Sequence, residues 1–333
     1  MSSLVRNLLF LFGLICVVVM VVHFDTNGEG AAQFIDSAWP WLPIVLGVWI
    51  FVYAFNALAY KTLVNLTATS QAARLNYPEA VQLTISGFAF SYITPMGFGG
   101  LPYRIMELRD RFGTARATAS TLLYSMTHVL SHFLLWTTAV ILFPFFFAEQ
   151  LSTPLIVMLI LFLVVALLVF VIFLRGVRKG IASKLLALCA TLPLIQRYVI
   201  SRLSRYSEAA KQIDEGLSML HRAPKRFLLA LSCEYVARLV NTWEFVFILM
   251  AFGHSISYID ALMILAFSSL VGNIFFFLPL QLGAREGGVA TIVSLLSLPT
   301  VVGIYTAFYT RVREIFWVAI GVVLIKFYSR KRS

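Results

Sequence analysis

The chain has 333 residues, of which 60% are hydrophobic and only 12% are charged, with 26 Lys and Arg against 15 Asp and Glu. A soluble globular domain has about 25% charged and 45–50% apolar residues, so the composition excludes a water-soluble enzyme and predicts an integral membrane protein. The formal charge of +11 does not indicate nucleic-acid binding, because the basic residues lie in short segments between apolar runs.

Several apolar runs without a charged residue follow one another along the chain, and each has 18 or more residues. About 20 residues of helix cross the hydrocarbon core of a bilayer. Because Lys and Arg are enriched in cytoplasmic loops, their positions predict six full spans with both termini in the cytoplasm. The first run has no small-residue cleavage site after it and is interpreted as a retained helix. The predicted spans lie near residues 7–23, 39–60, 117–147, 154–174, 227–252 and 300–325.

Two further apolar segments, residues 80–103 and 261–298, conflict with this distribution of basic residues if they span the membrane. Each is therefore predicted to enter the membrane and return on the same side, and the two open on opposite sides. The predicted fold is an all-α polytopic membrane protein with a single integral domain, residues 1–333. Residues 175–226, which mix leucines with eleven basic residues, are predicted to be a basic amphipathic cytoplasmic insert within it.

Helix-breaking residues mark the middle of both re-entrant segments. Pro95, Gly99 and Gly100 lie in the first, and Pro279 and Gly283 lie in the second. Pro95 aligns with Pro279 and Gly99 with Gly283, which predicts an inverted repeat of the kind found in secondary transporters. Such matches also arise by chance in an apolar chain, so the alignment alone leaves that alternative open. Non-helical backbone at membrane depth needs a polar or protein-lined surrounding, so the two breaks predict a polar cavity.

Three stretches carry a family resemblance: Thr94-Pro-Met-Gly-Phe-Gly-Gly with Arg104 after it, Pro279-Leu-Gln-Leu-Gly-Ala-Arg-Glu-Gly-Gly, and Thr306-Ala-Phe-Tyr-Thr-Arg. On these stretches the chain resembles the lysylphosphatidylglycerol synthase/flippase transmembrane family. The resemblance implies the membrane part alone, associated with moving aminoacylated phosphatidylglycerol between leaflets, with some relatives in polyprenyl-lipid contexts. Many members have a Glu-Arg pair where this chain has Ser125-Met-Thr-His, which leaves the head group open.

Charged side chains inside apolar segments are costly and usually face a cavity or a partner. The residues predicted to bind substrate are Arg285, Glu286, Arg311, Glu314, Arg104 and His128. The alternatives are that the acidic and basic residues merely pin neighbouring helices together, and that Arg104 only marks the cytoplasmic side. Glu234 and Arg238, one helical turn apart, are interpreted as an ion pair within the bundle. No catalytic residue, metal or cofactor is predicted.

Two functions compete on this evidence. The first is a flippase-like lipid translocator of a prokaryotic plasma membrane, whose partners are phospholipids, anionic or aminoacylated, or a polyprenyl-linked lipid. The second is an intramembrane transferase acting on a phospholipid or polyprenyl-phosphate head group, with His128, Glu286 or Glu314 as the general base. The sequence favours the translocator, because it has no hydrolase nucleophile motif and no acidic pair at metal-ligand spacing.

Overall fold

The computed structural model describes residues 3–37, 39–66, 68, 74–94, 97–179, 183–184, 186–187, 191, 207, 210–211, 214, 218 and 223–332. Within these residues the regular structure consists of α-helices and short 3-10 turns, with no strand, which confirms the predicted all-α class. Pro95 and most of the predicted insert 175–226 lie outside the described residues. The insert and the single-domain organisation stay predictions.

Most of the helices follow the apolar runs. In the first half of the chain the helices are α1 (Ser3–Phe24), α2 (Glu29–Ser37), α3 (Leu42–Val64), α4 (Tyr77–Ile93), α5 (Gly100–Phe112), α6 (Thr114–Phe146) and α7 (Thr153–Lys179). In the second half they are α8 (Pro224–Ala251), α9 (Tyr258–Ile274), α10 (Ala284–Leu295) and α11 (Thr300–Arg332). The exceptions to the apolar pattern are α2 and most of α5, which lie in polar connecting segments. The 3-10 turns Trp39–Trp41, Ala148–Gln150 and Pro279–Gln281 lie between helices in the described part of the chain.

Among the residues that the structure describes, three helical segments are long and apolar enough to cross a membrane: Trp39–Val64, Thr114–Phe146 and Thr153–Phe173. A fourth candidate is the bent pair Leu14–Phe24 and Glu29–Asp36. In the most apolar stretch of Thr153–Phe173 only 6% of the residues are buried inside the protein. An apolar surface that large is unsuited to water, so the chain is a multi-pass membrane protein. The total of six spans stays a prediction, because α8 and α11 carry charged residues within their length.

The helices around the two predicted breaks have matching lengths. The helices before the breaks, α4 and α9, have 17 residues each. After the breaks, α5 and α10 have 13 and 12 residues, and α6 and α11 have 33 each. Both α4 and α9 also begin with a reciprocal capping box, formed by Asn76 with Glu79 and by Ser257 with Asp260. The resemblance between the two halves therefore extends well beyond the aligned prolines and glycines.

The chain divides into two compact units. The first unit consists of Met1–Phe55, Thr84–Gly100 and Tyr235–Ser333, and the second of Asn56–Leu83 and Leu101–Glu234. In the first unit α10 packs against both α9 and α11, and in the second α6 packs against α7. The first unit contains the residues around both helix breaks, Thr94–Gly99 and Phe275–Gly283.

Glycines allow the closest approaches between helices of the first unit. A Cβ atom added to Gly100 would collide with the Gly87 carbonyl and the Ser91 hydroxyl, so only glycine lets α5 start this close to α4. On α11, a Cβ atom added to Gly303 would lie 2.6 Å from Cα of Ala290 and 3.0 Å from its backbone nitrogen. Because backbone atoms cannot rotate away, a larger residue at either position forces helices apart.

We expect Gly303→Ala to lower the free energy of unfolding by about 1–3 kcal/mol, because overpacking displaces α10 from α11. The matched control is Gly47→Ala in α3, where an added Cβ atom has no heavy atom within 4 Å and where alanine favours the helix by up to about 1 kcal/mol. Thermal unfolding of both variants in the same detergent provides the measurement. Equal stability of the two variants would contradict the packing of α10 on α11.

Candidate functional site

The second helix break turns through an unusual backbone. Between α9 and α10, Leu280 and Gln281 both have a φ of 54°, a left-handed conformation that non-glycine residues seldom adopt. Gly283, with a φ of 79°, precedes the first residue of α10. Its backbone N–H donates a hydrogen bond of 2.9 Å to Oε2 of Glu286. The glutamate thus folds back over the start of its own helix and fixes the position of the break.

Glu286 and Arg311 connect this break to α11. The Glu286 carboxylate is fully buried, and its Oε1 accepts a hydrogen bond of 2.6 Å from Nε of Arg311. One terminal nitrogen of Arg311 also donates to the Leu280 carbonyl, at 3.0 Å. The guanidinium therefore spans a side chain and a backbone carbonyl, which its rigid fork of donors allows. A single arginine from α11 thereby contacts both the middle of the break and the first turn of α10.

Arg285 forms a second contact between α10 and α11. Its guanidinium donates a hydrogen bond of 2.7 Å to Oε1 of Glu314, and its side chain is 26% exposed. The same glutamate oxygen lies 3.6 Å from a terminal nitrogen of Arg313. Glu314 is therefore shared by two arginines, and Arg285 is the more accessible of them.

Arg313 forms the most deeply buried ion pair of the described residues, together with Glu244 of α8. Two nitrogens of Arg313 contact the two oxygens of Glu244, at 2.8 and 3.2 Å. Their side chains are 2% and 1% exposed. Trp49 of α3 donates its indole N–H to Glu244 at 2.8 Å, and its ring lies 3.8 Å from the centre of the Arg313 guanidinium. The arginine thus combines a bidentate ion pair with a cation–π contact.

Together these side chains form a charge-balanced cluster, which we call the arginine–carboxylate network. It consists of Arg285, Arg311, Arg313, Glu244, Glu286 and Glu314. Three positive charges meet three negative charges, so the network is neutral as a whole. Within the network, Tyr92 is a further hydrogen-bond partner of Arg311, and a terminal nitrogen of Arg313 lies 3.6 Å from the Glu314 carboxylate. Oε2 of Glu314 is buried and makes no hydrogen bond.

Tyr92, near the end of α4, lies within electrostatic range of Arg285, Arg311 and Glu314. The helix before the first break therefore reaches the network built at the second. A ligand bound to the partly exposed Arg285 would have an aromatic hydroxyl, two guanidinium groups and a carboxylate within reach. That combination suits a polar group with both negative and hydrogen-bonding oxygens, such as a phosphodiester.

A comparison with protein families bears on what such a network serves. The family model described as the lysylphosphatidylglycerol synthase TM region matches residues 6–321. The chain belongs to this family. The match confirms the resemblance found in the sequence and supports a membrane function related to lipids. Comparisons with curated proteins and with solved structures give no significant match.

The other two predicted binding residues of this lysylphosphatidylglycerol synthase TM-region protein lie in the second unit. The Arg104 guanidinium lies 5.6 Å from the ring centre of Tyr60 and 5.2 Å from that of Tyr124. Its Nε donates to the Leu83 carbonyl at 3.3 Å. These contacts with two aromatic rings hold the Arg104 side chain within the second unit. Its role in binding a head group stays a prediction.

His128 in the second unit has a carboxylate partner. Its Nδ1 lies 2.7 Å from Oε2 of Glu234 on α8. The predicted ion pair of Glu234 with Arg238, one helical turn away on the same face, stays a prediction. In the part of the chain that the structure describes, no group of three His, Cys, Asp or Glu side chains is placed to hold a metal ion.

Proposed function

We propose that the chain translocates a membrane lipid between the two leaflets. The lipid head group binds at the arginine–carboxylate network, while the acyl or prenyl tails remain in the bilayer. The observation that carries the proposal is the network itself: six ionisable side chains gathered at a helix break inside a protein with a largely apolar exterior. Keeping these charges out of water costs free energy. A polar route for lipid head groups explains why the protein has charged side chains at this position.

The proposed architecture has six spans and two re-entrant helix pairs that open on opposite sides. Helix lengths support it, because 12 residues of α10 extend only about 18 Å and cannot cross about 30 Å of hydrocarbon. The matching helix lengths and capping boxes of the two halves also support it, since broken helices in paired repeats are typical of transporters. The basic residues favour both termini in the cytoplasm, and the proposed location is a prokaryotic plasma membrane.

The proposed head-group chemistry follows from the exposed fractions of two arginine side chains. Arg285, 26% exposed, and Arg311, 13% exposed, would bind the lipid phosphate through charge-assisted hydrogen bonds. Glu286 and Glu314 would then be free to balance a cationic group, such as the amine of an aminoacylated phosphatidylglycerol. A polyprenyl-linked phosphate would use the same two arginines. In each case a phosphate replaces a carboxylate as the partner of an arginine, and no covalent bond is made or broken.

A transferase is the competing proposal, and the geometry weakens two of its candidate bases. Glu286 and Glu314 each accept a hydrogen bond from an arginine, at 2.6 and 2.7 Å. One oxygen of each carboxylate is thus occupied by a guanidinium N–H and is not available to a substrate proton. His128 remains as the candidate base for such chemistry, and its Nδ1 is paired with Glu234.

The direct test is a proteoliposome assay with head-group-labelled lipids. Labelled anionic, aminoacylated and polyprenyl-phosphate lipids are reconstituted with the purified protein, and a membrane-impermeant quencher reports the fraction in the outer leaflet. We expect the protein to accelerate exchange of at least one of these lipids over protein-free vesicles. Mass spectrometry of the same lipids separates the two proposals, because a translocator leaves the mass unchanged. A new lipid mass without exchange would overturn the translocator in favour of the transferase.

A further inference from the structure

A groove between α6 and α7, in the second unit, belongs to none of the sites described above. Its volume is about 260 Å³. Leu130 and Phe173 are buried at its floor, whereas Val129 is 52% exposed at its rim. The side chains that line it from α6 include Met126, Val129, Leu130 and Phe133, and those from α7 are Val169 and Phe173.

The lining of the groove is unsuited to water. Among the lining residues only Ser125 has a hydroxyl group, and this hydroxyl already donates a hydrogen bond of 3.1 Å to the Thr121 carbonyl of its own helix. A bound water needs two to four polar partners, and an apolar cavity of about 150 Å³ stays dry and takes up a small hydrocarbon instead. The groove therefore suits a hydrocarbon ligand.

The groove extends from one surface of the membrane toward its middle. Phe173 is the last residue of the apolar segment Thr153–Phe173, whose 21 residues extend about 30 Å, the thickness of the hydrocarbon core. At the other end of the groove, the rings of Phe133 and Trp136 are 5.0 Å apart, and Trp136 lies 6.4 Å from Phe162, near the middle of that segment. Lipid at this depth consists of hydrocarbon chains.

Basic side chains lie at the outer end of the groove. Phe173 stacks on Phe227 of α8, with 5.7 Å between the ring centres. Arg175 follows Phe173 by two positions, Lys225 precedes Phe227 by two, and both basic residues are exposed. Because α8 contacts the middle of α6 further along its length, both cations lie on the outer side of the stacked rings. Long basic side chains there reach the level of the head groups, where phosphate oxygens accept charge-assisted hydrogen bonds.

We propose that this groove, with Arg175 and Lys225 at its outer end, binds a single anionic phospholipid. One acyl chain lies between α6 and α7, and the phosphate contacts the two basic side chains. Every residue of this site belongs to the second unit, and the inference does not rest on the proposed translocator function. Such a lipid differs from the lipid that covers the rest of α7, because both its chain and its charge are recognised.

Photo-crosslinking tests the binding of the acyl chain. The purified protein in phosphatidylcholine nanodiscs receives a small fraction of phosphatidylglycerol that carries a diazirine in the middle of one acyl chain, and mass spectrometry maps the crosslinked residues. We expect crosslinks to concentrate on Met126, Val129 and Leu130. Val157 and Leu161, which are 59% and 61% exposed on α7 but do not line the groove, should be labelled much less. Equal labelling of all exposed positions would overturn the site, because ordinary boundary lipid labels in that way.

A variant that fills the groove tests the same contact. Val129→Trp should lower crosslinking in the groove about fivefold or more, because the larger side chain competes with the acyl chain for the same volume. Val157→Trp places the same side chain on the lipid-facing surface of α7 and should retain wild-type crosslinking. Unchanged crosslinking in Val129→Trp would contradict the site. If this variant cannot be purified, the wild-type map decides.

A comparison of two lipids tests the head group. Labelled phosphatidylglycerol is compared with phosphatidylcholine that carries the same labelled chain, in otherwise identical nanodiscs at low salt. We expect phosphatidylglycerol to label the groove at least about tenfold more efficiently, and the double variant Arg175→Gln, Lys225→Gln to lose this preference. Arg109→Gln, which removes a positive charge from a side chain that is 56% exposed on α5, should keep it. Equal labelling by the two lipids in the wild type would overturn the assignment to an anionic phospholipid.

Discussion

Replacing Arg313 by alanine is expected to lower the free energy of unfolding by about 3–5 kcal/mol, because it leaves the buried carboxylate of Glu244 without its cation. The two side chains are 2% and 1% exposed, so water cannot take over the role of the guanidinium. The variant also removes the cation–π contact with Trp49. Chemical unfolding in detergent, followed by tryptophan fluorescence and by circular dichroism, measures the difference.

An exposed pair provides the matched control. Arg109 and Asp110 form a salt bridge of 3.2 Å with side chains 56% and 69% exposed, and such pairs contribute at most about 1 kcal/mol. Arg109→Ala should therefore change stability little. The double variant Arg313→Met, Glu244→Gln should recover part of the loss, since it removes both buried charges. A loss below about 1 kcal/mol in Arg313→Ala would mean that Glu244 is hydrated in the membrane.

Replacing Arg311 by alanine is expected to slow lipid exchange by at least about 30-fold. Removal of one member of a buried, hydrogen-bonded charge pair costs about 2–5 kcal/mol in binding, and Arg311 is bonded to both Glu286 and the Leu280 carbonyl. Arg285→Ala should have a smaller effect, because its side chain is twice as exposed, 26% against 13%. Initial rates from the quencher assay, normalised to the amount of reconstituted protein, compare the variants.

Lysine at position 311 separates charge from geometry. Arg311→Lys keeps the positive charge but cannot reach a carboxylate and a carbonyl through a planar fork, so we expect it to resemble Arg311→Ala more than wild type. Arg226→Ala is the control, because Arg226 lies exposed in the first turn of α8. Wild-type exchange in both Arg311 variants, with normal folding, would remove the arginine–carboxylate network from the transport route.

The sequence predicted the all-α class and most of the long helices, because both depend on local composition. Long apolar runs cross a bilayer as helix, and glycine and proline interrupt them. The pairing of charges was harder to foresee. The contact of Arg285 with Glu314 joins residues 29 positions apart on separate helices. Spacing along one helix does not report which faces of two helices meet.

Two other partnerships had no sequence signal. Trp49 lies within an apolar run, where a tryptophan resembles a lipid-facing residue, yet it donates to Glu244. His128 contacts Glu234 across 106 positions, on a helix that the sequence does not connect with its own. The capping boxes of α4 and α9, in contrast, have a visible pattern in the sequence. Asn76-Tyr-Pro-Glu and Ser257-Tyr-Ile-Asp share the order of cap, tyrosine and acid, and they align the two halves without any glycine.

The left-handed backbone of Leu280 and Gln281 has a mechanical consequence. Conformations of this kind cost of order 1–3 kcal/mol per non-glycine residue and persist only when surrounding contacts enforce them. Arg311 supplies such a contact by holding the Leu280 carbonyl. An anion that binds Arg311 in place of the Leu280 carbonyl would remove this contact, and the segment between α9 and α10 would relax toward an ordinary turn. Arg311 therefore stabilises a strained backbone conformation that ligand binding would release.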